Sequence, residues 1–300
     1  QGLHHRTPGS RIADRADPGW DHGNPETHYC AVADRHLGIL KDHIVQIEGK
    51  TIIITGGASG LGAETMRYMH GRGANVVACD LNAEEGIALV AELGERAMFA
   101  KLDVTSDEEA AAVLAQVVAK FGTVHVCINC AGVAAPSKII ERDGNATSLD
   151  AYRRTIDINL VGTFNMLSKC AAQMAKNDLE NGEERGVLIN VASGAAYEGQ
   201  IGQAAYASSK NGVIGLNLPA ARELGRYGVR VNAIAPGLFG TPMVMSFDQK
   251  VIDSLIESCE APKRVGRMEE FAHACAFLIE NAYINGETLR VDAATRLKAR

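Results

Sequence analysis

The chain has 300 residues, 46% of them hydrophobic, with a net charge of −6 and pI about 5.9. Three hundred residues allow one large α/β domain or two small ones, and the apolar fraction is enough for a real core. The acidic balance argues against nucleic acid as a direct ligand, because phosphate binding shows as a basic footprint. No run of eighteen apolar residues occurs, so no membrane span is expected.

Residues 1–43 differ from the rest: they hold six of the nine His, the only Trp (Trp20) and three of the eight Pro. They lack sustained apolar periodicity and read as a disordered or extraneous tail. Arg6, Arg11 and Arg15 hint at a mitochondrial leader, but Asp14, Asp17 and Asp21 do not fit one.

From residue 49 apolar strands alternate with helical patterns. Strands are predicted at 51–55, 75–79, 97–102, 124–129, 186–191, 229–234 and 288–291. Helices are predicted at 60–72, 83–93, 106–121, 149–176, 204–227 and 269–280. Regular alternation with apolar strands means a parallel sheet covered by helices on both faces. The expected fold is a single-domain, Rossmann-type, doubly wound α/β sheet over residues 44–300. The polar stretch 177–185 reads as a surface insertion. Residues 237–267 mix apolar and polar side chains over a length that fits a substrate lid, with a core-facing helix as the alternative.

The seven Cys are irregularly spaced and read as reduced intracellular thiols. Cys127 and Cys130 spell C-x-x-C, but strand residues three apart face opposite ways, so core thiols are the better reading and no metal is expected.

The first strand runs straight into Thr55-Gly56-Gly57-Ala58-Ser59-Gly60-Leu61-Gly62 and then a helix. Gly56 permits a tight turn. Gly60 and Gly62 let backbone approach a pyrophosphate facing the helix N-terminus. Asp80 ends the second strand, eighteen residues after Gly62, where a carboxylate accepts hydrogen bonds from adenosine ribose hydroxyls. It would repel a 2′-phosphate, and no nearby Arg or Lys neutralises one, so NAD is favoured over NADP. The alternative for Asp80 is a helix N-cap. Asp103, ending the third strand, either meets the adenine or caps the next helix.

Tyr206 and Lys210 lie four apart on a predicted helix, so they share a face. A phenol alone is a poor base at neutral pH, and an ammonium one turn away favours the phenolate. Ser193 stands thirteen residues before the Tyr.

With these motifs in this order, the chain resembles the short-chain dehydrogenase/reductase family over residues 45–295. The residues that carry the likeness are 55–62, Asp103, Asn129-Cys130-Ala131-Gly132, Asn159, Ser193, Tyr206, Lys210 and Pro236-Gly237. Cys130 departs from the pattern, since the family usually has a second Asn there. The resemblance implies cofactor contacts at Ser59, Leu61, Asp80, Asp103, Val104, Cys130, Tyr206, Lys210, Phe239 and Thr241. It implies that Tyr206 exchanges a proton with a secondary alcohol, Lys210 holds the nicotinamide ribose, and Ser193 hydrogen-bonds the substrate oxygen. It further implies that Asn159 positions a water beside the Lys. Gln200 and Gln203 line either the substrate pocket or a solvated loop. The likeness is strongest to members acting on 3-hydroxyacyl-CoA in fatty-acid β-oxidation and on hydroxysteroids. It therefore implies an acyl-CoA or steroid substrate and a homotetramer. It implies a mitochondrial matrix location in a eukaryote, or a cytoplasmic one in a bacterium. The same chemistry on a polyol or sugar, or a scaffold or RNA-processing subunit, are the competing readings. Lys263, Arg264 and Arg267 are candidates for a CoA phosphate contact.

Overall fold

The computed structural model of the protein describes residues 46–180 and 182–299. The tail expected over residues 1–43 lies outside them. Seven parallel strands form one sheet in the order β3-β2-β1-β4-β5-β6-β7. They are β1 (Thr51–Thr55), β2 (Asn75–Asp80), β3 (Ala97–Lys101), β4 (Val126–Asn129), β5 (Gly186–Val191), β6 (Val229–Pro236) and β7 (Thr288–Val291). The helices between them are α1 (Gly60–Gly71), α2 (Ala83–Leu93), α3 (Asp107–Phe121), α4 (Leu149–Ile156), α5 (Gly162–Met174), α6 (Ala204–Leu224), α7 (Pro242–Met245), α8 (Gln249–Glu257) and α9 (Met268–Glu280). Among the described residues, no helix is long and apolar enough to cross a membrane.

Strand β1 shows how sequence makes the sheet. Its Thr-Ile-Ile-Ile-Thr run is β-branched throughout and buried at every position. Ile52 and Ile54 pack with Met66 and Met69 of α1 and Phe271 of α9. Ile53 faces the other way, toward Val113 and Val117 of α3 and Met166 and Cys170 of α5. The two faces of one strand therefore anchor two helix layers. Cys79, Cys127 and Cys170 are buried and free in the second layer; burial pushes the Cys79 thiol up, and a hydrogen bond with Cys170 followed by burial pushes the Cys127 thiol up.

One predicted element differs from the fold. The single helix expected at 149–176 is α4 and α5 joined by a π-helical turn, Asp157–Val161. The stretch 237–267 holds α7 and α8, with Ile252 buried while Met245, Phe247 and Val251 stay exposed. Strand order reverses between β1 and β4, the place where open α/β sheets form a crevice at their carboxyl ends.

Candidate active site

A cleft of about 950 Å³ opens at that reversal, lined by Gly56, Ser59, Asp80, Val104, Cys130 and Thr241 among others. At its floor, Gly56 has φ +63, and a Cβ there would sit 3.0 Å from Ala131 backbone. Gly60 has φ +53, a conformation L side chains rarely adopt. Gly62 admits no side chain at all, since a Cβ would strike the Gly56 carbonyl. Helix α1 begins at this turn without a side-chain cap on its N-cap Ser59 and without an acidic residue in its first turn. By contrast, α2 and α3 start on capping Asn82 and Ser106, with acids in their first turns. The α1 terminus thus keeps its N–H groups and positive end for an anion.

Asp80 closes one end of the cleft. Its two carboxylate oxygens accept from Ala58 N at 3.1 Å and Asn82 N at 3.0 Å. This fixes the carboxylate across the glycine turn and leaves each oxygen a lone pair for a diol. The helix cap proper is Asn82, which accepts from Glu85 N at 3.2 Å. A diol-bearing dinucleotide with a pyrophosphate therefore fits these residues. Asp103 also borders the cleft, but its Oδ1 accepts from Thr105 N at 2.9 Å and from Thr105 Oγ1 at 2.7 Å. It holds the turn before α3.

Helix α6 lies behind the cleft wall at Val191 and Gly132. Tyr206 and Lys210 share its inner face, but the ammonium does not bond the phenol. Lys210 Nζ donates to Val191 O at 2.8 Å and lies 5.9 Å from the Tyr206 ring centroid. Burial pushes the Lys210 ammonium down to about 8 and pushes the Tyr206 phenol up. A hydrogen bond with the Ser193 side chain pulls the phenol back in part. The expectation that Lys alone makes the phenol acidic is thus modified: burial dominates, and Ser193 opposes it. Ser193 also accepts from Ala195 N at 3.1 Å, which sets its turn.

Asn159 sits in the π turn, fully buried. Its Oδ1 accepts from Val133 N at 2.8 Å, and its Nδ2 donates to Val133 O at 2.9 Å and Ser209 Oγ at 3.0 Å. Gly132 packs its bare backbone here: a Cβ would lie 3.1 Å from Asn159 Oδ1 and 3.2 Å from Lys210 Nζ. The Asn159 amide therefore clamps backbone beside the cleft. Val133 and Ser209 were not singled out from sequence, because their role is to bond Asn159 rather than to carry a recognisable motif.

Other expected residues separate from this group. Leu61 and Val104 line the cleft, and so does Cys130, whose thiol burial pushes up to about 12. Phe239 is buried, edge-on to Phe271 at 6.1 Å, so its side chain belongs to the core. Gln200 and Gln203 line a second cavity of about 460 Å³ and bond each other: Gln203 Oε1 accepts from Gln200 N at 3.0 Å. Arg264 forks onto Glu270 at 2.8 and 2.7 Å, so its charge is already matched.

A sequence model of the family described as short chain dehydrogenase matches residues 50–252. The human protein called 3-hydroxyacyl-CoA dehydrogenase type-2 is 45% identical over 253 residues, covering 84% of this chain and 97% of that one. The Drosophila melanogaster protein of the same name is 42% identical over 252 residues, covering 84% and 99%. A crystal structure of 3-hydroxyacyl-CoA dehydrogenase type-2 from Mycobacterium avium superposes with a TM-score of 0.82 at 42% identity, covering 85% of this chain and 99% of that one.

Proposed function

The chain belongs to the short-chain dehydrogenase family, and from that premise we propose that it is an NAD-dependent 3-hydroxyacyl-CoA dehydrogenase. The observation that carries the reading is a cleft that holds a fixed carboxylate, Asp80, and also runs past Val191 and Gly132, the residues against which Lys210 is packed beside Tyr206 and Ser193. The relatives named for this activity span nearly their whole length on this chain, which supports the acyl-CoA substrate.

In this reading the glycine turn and the α1 N-terminus hold the pyrophosphate, and Asp80 binds the adenosine ribose diol. When bound, the nicotinamide accepts or supplies the hydride. Ser193 donates a hydrogen bond to the substrate oxygen and fixes it against Tyr206. Tyr206 takes the hydroxyl proton in oxidation and returns it in reduction. Lys210, held on Val191 O, presents its ammonium to the ribose and to the phenol ring. Asn159 keeps the Val133 backbone in place beside them. The exposed Met245, Phe247 and Val251 of the α7–α8 segment offer an apolar cover for an acyl chain. The exposed Val161, Phe164 and Leu218 on the α4–α5 and α6 surfaces suit association into a homotetramer, which sedimentation tests.

The deciding assay follows absorbance at 340 nm with NADH and acetoacetyl-CoA, beside Tyr206→Phe and an NADPH control. Oxidation of NADH that the Tyr variant loses, and that NADPH supports weakly, is expected. Absence of turnover by protein that binds NADH rejects the acyl-CoA assignment.

A further inference from the structure

We propose that Arg290, on the last strand and outside the cleft, is a positioning residue that fixes the Ser193 hydroxyl by gripping Glu198. Ser193 follows β5 and opens a 3₁₀ turn, Gly194–Ala196, built of residues too small to anchor it by side-chain packing. The turn is closed by its own backbone: Ala196 N donates to Ser193 O at 3.0 Å, and Tyr197 N and Glu198 N both donate to Gly194 O. Its start is held by Ala192 N donating to Ile234 O of β6 at 2.7 Å, and Asn211 of α6 donates to Ala196 O at 3.1 Å; its far end is gripped from β7.

Arg290 pairs in register with Ala235 of β6, and its guanidinium reaches across the end of that strand. Nη1 donates to Glu198 Oε1 at 2.8 Å and Nη2 to Oε2 at 3.1 Å, a two-point fork. The same guanidinium lies 4.8 Å over the Tyr197 ring. Its Nε donates to Asp292 Oδ2 at 2.7 Å, and Nη2 also donates to Thr295 O at 3.1 Å. A Cβ on Gly194 would lie 3.9 Å from Nη2, so the turn runs directly beside the group. The two residues that follow the Ser193 turn, Tyr197 and Glu198, are thus tied to one planar side chain on a strand, held in turn by Asp292 and Thr295 O. Arg296 adds a longer contact to Glu198 Oε1 at 3.6 Å. Asp292 also lies within reach of Arg296, at 3.3 Å.

A fork restricts both distance and angle, and a reacting group displaced by about 1 Å loses on the order of a hundredfold in rate. The Glu198 carboxyl is held below its ordinary range by Arg290, so the pair stays charged at neutral pH. Loosening the turn weakens the Ser193 contact that draws the Tyr206 phenol down, so the phenol should rise.

The inference rests on the reading of Ser193 and Tyr206 as the reacting pair, and its test does not require turnover. Protein with saturating NAD and [¹³Cζ]tyrosine is titrated by NMR, the Tyr206 signal being identified by its loss in Tyr206→Phe. Arg290→Met and Glu198→Gln should each move the Tyr206 midpoint upward. The double variant should move it no further than Arg290→Met, and Arg290→Lys should fall between wild type and Arg290→Met. In the acetoacetyl-CoA assay, kcat should drop about tenfold in Arg290→Met while NADH affinity stays within twofold. An unchanged midpoint in either folded single variant, or additive shifts in the double, overturns the proposal. A shifted midpoint with no acetoacetyl-CoA turnover by wild type rejects the substrate assignment and keeps Arg290 in its role.

Discussion

Burial and hydrogen bonding pull the Tyr206 phenol in opposite directions, and burial is the larger effect. Charge on Lys210 is likewise disfavoured by its surroundings, yet a value of about 8 leaves it protonated at pH 7. The site thus stores an unfavourable buried ammonium at the position the proposed mechanism assigns to it. A base whose folded value lies below its unfolded one binds fewer protons when folded. Stability therefore rises as pH climbs from about 8 to the ordinary Lys value of 10.5. Below 8 the full cost is present. Lys210→Met removes that cost along with the bond to Val191 O, so a net gain on the order of 1 kcal/mol is expected at pH 7. The gain should shrink as pH rises through that window. Urea unfolding at pH 7 and pH 9.5 checks it, and a variant less stable than wild type at pH 7 contradicts it. Activity should be lost in the same variant. With the phenol oxygen in its proposed role on the substrate proton, Tyr206→Phe should lower kcat by about 10²- to 10⁴-fold with little change in NADH affinity. Stopped-flow rates with a fluorescence titration separate those two effects.

Elements lie at the next scale, and here sequence carried unequal signals. Strand β1, the glycine turn and the Tyr-Lys helix were legible because each has a local cause: β-branched apolar runs, positive φ at glycine, and a four-residue spacing. The π turn was not. Adding one residue to a helical turn leaves the apolar spacing of 149–176 looking continuous, and the widened turn shows only in the backbone bonds. It carries Asn159, and π turns recur at functional sites. Gln200 and Gln203 were equally ambiguous, because an amide before an active-site helix can face substrate or its neighbour. Just after the π turn, Gly162 opens α5, and a Cβ there would fall 2.5 Å from Val104 Cγ2. Val104 lines the cleft. Gly162→Ala should therefore cost about 1–3 kcal/mol by overpacking and weaken NADH binding as Val104 is pushed inward. Calorimetry and fluorescence titration give both numbers. Lost stability with unchanged NADH affinity would mean that the helix, not Val104, yields.

For the whole molecule, the sheet has a reactive edge and a structural one. The carboxyl ends of the strands carry the cleft, while the insertion 177–185 meets the other end. That insertion reads as solvated surface, yet Glu184 within it is buried against Arg230 of β6. No local pattern could reveal this, because the partners stand 46 residues apart. Arg230 also donates to Leu278 O at 2.7 Å, Ile279 O at 2.7 Å and Ile284 O at 3.0 Å, the first two being carbonyls at the C-terminus of α9. A cation suits that end of a helix. The Glu184 carboxyl is nonetheless raised from its ordinary value, burial being the largest cause and the Arg230 contacts opposing it. A pair of this kind adds little net stability, but removing one partner strands the other. Glu184→Ala and Arg230→Met should each cost about 3–5 kcal/mol. The combined Glu184→Leu/Arg230→Met variant should cost far less than the sum of the two. Urea unfolding of the three proteins tests this, and additive losses would show that the two residues act independently rather than as a coupled pair. Because the pair lies at the sheet end opposite the cleft, kcat per folded molecule should stay unchanged in all three.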